Sequence, residues 1–241
     1  MSALRDVLRV AAEANLRRLV FLSTIGTIAI GANGETVDED TPFNWSEQAG
    51  GYIESRRQAE DLVFSYVENH GLPAVVANVS NPCGPPDWQP RQGMFVQLAA
   101  LGRLPFYVRG VAAEVVGIDD VADALLLAAE RGRIGQRYII SERYMSQREL
   151  VTIAAEAVRA RPPRLGVPMA LAHAFAHLAD AAGPLLRRRL PIGRQSARLL
   201  ALTSPASHNK ATRELGWHPG PTEDFIRRAA RAYVDRSTAG R

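Results

Sequence analysis

The spacing of hydrophobic positions alternates between that of an amphipathic helix and that of a buried strand. Apolar residues three and four apart predict a helix over residues 2–15 and a longer one over residues 52–69. Short, continuous apolar runs at residues 17–23 and 73–79 predict buried strands of a parallel sheet. Residues 31–51 are rich in glycine, asparagine, aspartate and proline and are expected to form a loop.

The rest of the chain continues this alternation. Asp119 or Asp120 is expected to cap a helix that starts at Val121, and the proline-rich residues 81–87 are expected to form a rigid turn. Further strands are predicted at residues 115–118 and 138–140, and further helices at residues 95–101, 121–131, 146–159, 168–190, 209–215 and 223–233.

Alternating strands and helices are typical of an α/β fold with a parallel, Rossmann-type sheet. We expect residues 1–160 to form a truncated Rossmann-like domain that holds the later strands of such a sheet, with substrate elements interleaved. Residues 161–241 are expected to form a small, mainly helical substrate region, because the pattern becomes helical after two consecutive prolines. A complete nucleotide-binding sheet would need earlier strands before residue 1.

The composition is that of a globular protein, since 46% of the 241 residues are hydrophobic and 22% are charged. The net charge of +4 comes from dispersed arginines, which is typical of a solvated surface rather than of a nucleic-acid interface. A single cysteine, Cys83, excludes an internal disulfide and a cysteine-rich zinc site. The chain has no signal-peptide pattern and no uncharged apolar run of about 18 residues. We therefore expect a cytoplasmic protein.

Candidate chemistry begins with Tyr52 and Arg56, which are four residues apart and share one face of the predicted helix. The guanidinium would favour the ionised phenol. Tyr52 could then exchange a proton with the substrate oxygen while a hydride moves between the attached carbon and a cofactor. Ser23 or Thr24, at the end of the preceding strand, could hydrogen-bond the same oxygen. The alternative interpretation is an ordinary exposed helix start.

A series of segments around this pair has the order found in one known family. The segments are Leu19–Thr27, Tyr52–Glu60, Ser80–Pro85, Val115–Ala122, Gly132–Tyr138 and Lys210–Trp217. Together they resemble the extended short-chain dehydrogenase/reductases, that is, the NAD-dependent epimerase/dehydratases with their dihydroflavonol-reductase-like and hopanoid-associated sugar-epimerase-like branches.

The resemblance implies a role for each candidate residue. Tyr52 would be the catalytic acid/base, Thr24 would position the substrate oxygen, and Arg56 would take the place of the family's catalytic lysine. The cofactor, NAD or NADP, would be contacted by Tyr52, Arg56 and Ser80, and the substrate by Ser23 and Asn81. The resemblance also implies dimers that pair through the helices at residues 2–15 and 52–69, so we expect a homo-oligomer.

Two departures from the family pattern leave the function open. The family's glycine-rich phosphate loop has no match, since the glycine cluster at residues 26–34 runs into an acidic loop. Arginine at position 56 cannot deprotonate and so cannot relay a proton. The first hypothesis is an NAD(P)-dependent oxidoreductase or epimerase that acts on a hydroxyl or keto carbon of a nucleotide sugar or lipophilic alcohol, with the nucleotide-binding half supplied by, for example, a partner chain. The second is a cofactor-free descendant that uses the Tyr52 cleft for binding or for acid/base chemistry without hydride transfer.

Three other features have simpler interpretations. His173, His177 and Asp180 share a helix face, but a pair of packing histidines is favoured over a metal site. The apolar run at residues 167–182, followed by the arginines at 187–189, could lie on a membrane surface. Cover of a lipophilic substrate cleft, or packing within the domain, is the favoured interpretation of that run. Cys83 is expected to be a packing residue rather than a nucleophile.

Overall fold

The computed structural model describes residues 2–85, 93–171, 174 and 203–239. Its helices are α1 (Ser2–Glu13), α2 (Ser46–His70), α3 (Met94–Ala100), α4 (Ile118–Arg131), α5 (Gln147–Glu156), α6 (Asn209–Leu215) and α7 (Thr222–Ala239). Its strands are β1 (Leu19–Thr24), β2 (Ala74–Val79), β3 (Asn81–Cys83), β4 (Phe106–Val108), β5 (Ala112–Gly117), β6 (Arg137–Ile140), β7 (Arg143–Ser146) and β8 (Leu165–Val167). Two short 3-10 turns, Ile25–Thr27 and Ala32–Gly34, follow β1. The predicted α/β fold is confirmed.

The first sheet is parallel, with the strand order β1-β2-β6. All six residues of β2 are buried, because helices cover both faces of this central strand. Val75, Ala77 and Val79 pack with α4 and α6 on one face, while Ala74 and Val76 pack with α1 and α2 on the other. Parallel strands place their carboxyl ends at one edge of the sheet, and this edge carries the candidate site.

A second sheet has the order β3-β5-β7, with β5 parallel to β3 and antiparallel to β7. Helices α3, α5 and α7 pack on it through a separate apolar cluster that includes Val96, Val115, Met145, Val151 and Ile226. Strands β4 and β8 form a parallel pair of their own. The segment at residues 203–239 is thus divided between the sheets, since α6 packs on the first and α7 on the second.

Three local predictions were wrong. Residues 46–51 belong to α2 and not to the loop predicted at residues 31–51. Residues 81–83, the start of the segment predicted as a turn, form β3, which pairs with β5 in register from Asn81 opposite Val115. Neither Asp119 nor Asp120 caps α4, because β5 runs directly into the helix and Gly117 occupies the capping position. Both aspartates instead lie in the first helical turn, where a negative charge interacts favourably with the helix dipole.

Several predictions fall on residues that the structure does not describe. They are the metal candidate formed by His173, His177 and Asp180, the arginines at residues 187–189, and most of the helix predicted at residues 168–190. Among the helices that are described, none has the length and apolar character needed to cross a membrane.

Candidate active site

The candidate site lies where β1 and β2 end. Thr24, the last residue of β1, is opposite Val79, the last residue of β2, so that Thr24 and Ser80 emerge side by side at the carboxyl edge of the sheet. The chain then turns sharply after β1. The Thr24 hydroxyl accepts a hydrogen bond from the Gly26 amide at 3.3 Å, which closes the turn over the end of the strand.

The tyrosine helix meets this turn at its first residues. Helix α2 is broken at Gly50, whose φ of 70° and ψ of 171° are available to glycine but not to other residues at low cost. Tyr52 therefore lies in the first turn of the straight part of the helix. Its neighbour Ile53 packs against Gly26, where an added Cβ would come within 2.4 Å of the Ile53 Cδ1 atom. The start of the helix and the end of β1 are thus in direct contact.

Tyr52 and Arg56 are held together on the exposed side of α2. The Tyr52 side chain is about half exposed, with a relative accessibility of 48%. The guanidinium carbon of Arg56 lies 5.5 Å from the centroid of the Tyr52 ring, within the range of a cation–π interaction. The predicted pair is therefore present as a pair, with the cation over the ring face.

The two residues after β2 are held by hydrogen bonds to backbone carbonyls. The Ser80 amide donates to the Ile140 carbonyl at 3.0 Å, and the Asn81 side-chain amide donates to the Glu114 carbonyl at 2.8 Å. The Ser80 hydroxyl is buried and has no hydrogen-bond partner in the part of the chain that the structure describes. A buried hydroxyl without a partner is costly, so this atom is available to a bound ligand or water.

The two hydroxyls predicted at the end of β1 have different environments. Ser23 is buried, and its hydroxyl donates to the carboxylate of Glu60. Thr24 is only partly buried, at the edge of the sheet. Because strand residues alternate between faces, the two side chains point to opposite sides of the sheet. Thr24 is consequently the better placed of the two to meet a substrate.

The sequence interpretation missed a polar cluster beneath the site. Glu60, although charged, is only 1% exposed, and it accepts hydrogen bonds from Thr27 and from the Asn78 side-chain amide. One signal in the sequence could have revealed it. Glu60 lies seven residues after Ile53 and three before Val63, and both of these are buried. A carboxylate at that spacing falls on the apolar stripe of the helix.

Two other carboxylates are shielded from solvent, the buried Glu114 in β5 and the partly buried Glu39. Burial raises the pKa of Glu114, although hydrogen bonds from the Ser141 hydroxyl and the Ala206 amide lower it in part. Burial also raises the pKa of Glu39, and the hydrogen bond from the Ile139 amide opposes that effect. Both groups hold separate segments together and neither belongs to the candidate site.

A cavity of about 470 Å³ opens between residues 39–43, α2 and the start of β6. Its lining includes Arg57, Arg137 and Lys210 together with Glu39 and Asp40. Arg137 already faces Glu60 at 3.5 Å. Because these charges nearly cancel, the lining gives no basis for selecting an anionic ligand.

Comparison with known proteins identifies the family. A model of the NAD dependent epimerase/dehydratase family matches residues 2–141. A dihydroflavonol 4-reductase-like protein of Synechocystis sp. is 27% identical over 88% of this chain and 63% of its own length. The sterol demethylase protein B of Methylococcus capsulatus is 29% identical over 90% of this chain and 66% of its own length. The chain thus spans slightly less than two thirds of these curated relatives.

The fold agrees with a solved structure of the same type. A nucleoside-diphosphate-sugar epimerase from Pseudomonas aeruginosa superposes with a TM-score of 0.77, at 24% identity, over 95% of this chain and 70% of the other. The family predicted from the motif order is confirmed by the match, which covers more than half of the chain. The chain belongs to the NAD-dependent epimerase/dehydratase family.

Proposed function

We propose that the chain carries the proton-transfer and nicotinamide side of an NAD(P)-dependent oxidoreductase or epimerase. One observation supports this most strongly: the Thr24 turn, the Tyr52 helix start and the Ser80 turn meet at one sheet edge, with Arg56 over the Tyr52 ring. These elements carry a hydroxyl, a phenol and a cation. Groups of these three types can bind an oxygen, move its proton and stabilise the resulting charge.

The residues at this edge fit the nicotinamide end of the cofactor. The Ser80 hydroxyl is buried without a partner among the described residues, and it can therefore form a hydrogen bond with a bound cofactor. Tyr52 and Arg56 are exposed on α2. When bound, NAD(P) supplies a carbon that accepts or returns a hydride. In this proposal Ser80, Tyr52 and Arg56 hold the cofactor.

Residues of the chain itself would then transfer the proton. In the oxidising direction, the Tyr52 phenolate takes the proton of the substrate hydroxyl, and the hydride leaves the attached carbon. In the reducing direction, the Tyr52 phenol returns a proton to the carbonyl oxygen. Thr24 orients that oxygen by a hydrogen bond, and Asn81 contacts the substrate beyond it. Arg56 stabilises the phenolate by its charge but cannot carry the proton onward, because a guanidinium stays protonated.

The substrate class we propose is a nucleotide sugar or a lipophilic alcohol, reacting at a hydroxyl or keto carbon. The names of the relatives support both options. The Pseudomonas protein is an epimerase of nucleoside-diphosphate sugars, whereas the Methylococcus relative is named for a sterol. Both substrate types present a carbon that bears an oxygen, which is the group that Tyr52 and Thr24 would address.

A cofactor-free function is the second candidate, and the position of Arg56 favours it. Its guanidinium lies over the ring of Tyr52 where the family has a lysine. Tyr52 could then serve acid/base chemistry without hydride transfer, or the cleft could serve binding alone.

Calorimetric titration with NAD(H) and NADP(H) separates the two candidates. We expect micromolar binding to the wild type and about fivefold weaker binding to Ser80→Ala, as for the loss of one neutral hydrogen bond. Ser237→Ala, on the exposed end of α7, is the control and should bind like the wild type. Absence of binding up to millimolar concentration would exclude the cofactor-dependent function for this chain and support the second candidate.

We also propose that the chain associates with a second copy of itself through α1 and α2. Val7 and Val10 on the outer side of α1 are 59% and 54% exposed. Two neighbouring exposed apolar side chains are compatible with a contact surface on this helix. Light scattering at micromolar concentration should give the mass of a dimer or larger oligomer, and a monodisperse monomer would contradict the proposal.

A further inference from the structure

Glu60 is a buried charge whose two carboxylate oxygens have different partners. Oε1 accepts hydrogen bonds from Ser23, from Thr27 and from Asn78. Oε2 faces the guanidinium of Arg137 at 3.5 Å. A carboxylate can stay inside a protein at tolerable cost only when it is paired and hydrogen-bonded in this way. These hydrogen bonds and this ion pair are what allow the carboxylate of Glu60 to be buried.

The three donors to Oε1 come from three different elements. Ser23 belongs to β1, Thr27 to the 3-10 turn after it, and Asn78 to β2. Glu60 itself comes from α2. One atom thus joins the strand that ends at the candidate catalytic hydroxyl, the turn that follows, the neighbouring strand and the tyrosine helix.

The turn is connected to Thr24 by the same groups. The Thr27 hydroxyl lies 2.8 Å from the Thr24 carbonyl oxygen and also contacts Glu60, and the Asn78 amide nitrogen lies 2.8 Å from the Thr27 hydroxyl. Since Thr27 has a single hydroxyl proton, it donates to one of its two acceptors at a time. The Asn78 amide reaches the Thr24 carbonyl as well, at 3.4 Å. The backbone of Thr24 is therefore held by Thr27 and Asn78, two residues that also contact Glu60.

We propose that Glu60 is a positioning residue of the site: through Thr27 and Asn78 it fixes the turn at residues 24–27, and thereby the direction of the Thr24 hydroxyl. Glu60 touches neither substrate nor cofactor in this scheme. The inference rests on the proposed function for its catalytic meaning, but the ordering of the turn can be measured without any activity.

The test uses variants that each change one group of the cluster. Thr27→Val removes the hydroxyl and keeps the shape, Thr27→Ser keeps the hydroxyl, and Glu60→Gln removes the charge. Glu68→Gln, on the exposed side of the same helix, is the matched control. Melting temperatures identify any variant that unfolds, and the Thr27 pair remains informative if Glu60→Gln does not fold.

The first readout is amide hydrogen exchange in the turn. The Gly26 amide donates to the Thr24 hydroxyl and the Ile28 amide to the Ile25 carbonyl, so both report on turn geometry. We expect exchange about tenfold faster at these amides in Thr27→Val and Glu60→Gln, as for the loss of about one hydrogen bond. Amides of β5 should be unaffected, and Thr27→Ser should restore the wild-type rate. Unchanged turn exchange in a folded Glu60→Gln, or in Thr27→Val, would overturn the proposal.

The second readout is the split between kcat and KM, measured with the cofactor that binds. Misplacement of one catalytic group by about 1 Å can lower kcat about 100-fold. We expect such a loss in Thr27→Val, with KM and cofactor affinity within about twofold of wild type, and rescue by Thr27→Ser. Faster turn exchange with unchanged kcat would also overturn the proposal. If the wild type binds no cofactor, the proposed function fails, and hydrogen exchange alone decides whether Glu60 orders the turn.

Discussion

The guanidinium of Arg56 lies over the aromatic ring of Tyr52, with its central carbon 5.5 Å from the ring centroid. A planar guanidinium can stack on a ring in this way, whereas the ammonium of a lysine is a compact point charge. An arginine at position 56 therefore differs from a lysine both in the shape of the cation beside the phenol and in its ability to release a proton.

Restoring the family residue should strengthen the cofactor-dependent function. In Arg56→Lys, the smaller ammonium can reach hydroxyl groups of a bound cofactor and can relay a proton. We expect tighter NAD(P) binding by calorimetry, or higher turnover, than in the wild type. Arg9→Lys, on the exposed side of α1, is the control for a generic arginine-to-lysine effect. Identical binding and turnover in Arg56→Lys and the wild type would remove the main support for a role of Arg56 at the cofactor.

Tyr52→Phe should separate proton transfer from binding. Loss of the phenol hydroxyl removes the group that we propose as the acid/base, so we expect kcat to fall about 10²- to 10⁴-fold. Cofactor affinity should change little, because the ring and Arg56 remain. Tyr66→Phe, on the same helix, should retain activity, since among the described residues the Tyr66 hydroxyl is hydrogen-bonded only to the Arg5 carbonyl, at 3.4 Å. Steady-state kinetics give the answer, and full activity in Tyr52→Phe would exclude Tyr52 from the mechanism.

Gly31→Ala should destabilise the loop that connects the turn to α2. A Cβ at Gly31 would lie 1.9 Å from the Glu35 carbonyl oxygen, a backbone atom that cannot rotate away. The Gly31 amide also donates to the Ser204 hydroxyl at 2.8 Å, so the strain would spread to that contact. Overpacking of this kind costs about 1–3 kcal/mol of unfolding free energy, which urea denaturation can measure.

Gly51→Ala is the matched control for this glycine. Nothing lies within 4 Å of a Cβ built at Gly51, and the position is helical. Alanine is the better helix former by about 1 kcal/mol, so we expect equal or greater stability. A Gly31→Ala variant as stable as Gly51→Ala would show that the Gly31–Glu35 approach relaxes freely.

Glu114 should make the stability depend on pH. Burial raises the pKa of its carboxyl above the ordinary value of 4.5. The folded state then binds more protons than the unfolded state between these two pKa values, so stability falls as pH rises through that window. Glu114→Gln keeps both hydrogen bonds, because an amide can pair with the Ser141 hydroxyl and accept from the Ala206 amide.

We therefore expect Glu114→Gln to gain stability relative to the wild type as pH rises above 4.5. Urea denaturation of both proteins at several pH values measures the difference, and Glu130→Gln on the exposed side of α4 is the control. A constant difference between Glu114→Gln and the wild type over the whole range would contradict the assigned pKa direction.

The elements that the sequence predicted correctly are those with a strong periodic pattern. Helix α2 and strand β2 are long or continuously apolar, and their packing follows from pattern alone. Strands β3, β4 and β8 have three residues each, too few to show a period, and β3 contains Pro82. Their pairing depends on partners far away in the chain, such as Asn81 opposite Val115. Such contacts leave no local signal.

The residues of the site also fall into those that the sequence predicted and those that it did not. The positions of Thr24, Tyr52 and Ser80 at element ends followed from the motif order. The roles of Ser23 and Asn78 did not, because a polar residue in a buried strand has meaning only once its partner is known. That partner is Glu60 on α2, 37 residues after Ser23. A charge on an apolar helix face indicates that a partner exists, but only the packed structure shows which one.

The break in α2 at Gly50 separates a segment that can change in sequence from a helix whose position is fixed by packing. Upstream of it, Trp45 anchors the loop by donating from its indole nitrogen to the Ile28 carbonyl at 2.9 Å. Downstream, Tyr52 is carried by a straight helix that is fixed by Ile53 and Glu60. A break at this point lets the loop change in sequence and length while the helix that carries Tyr52 keeps its place. Changes in the loop before Gly50 can therefore alter specificity without moving Tyr52.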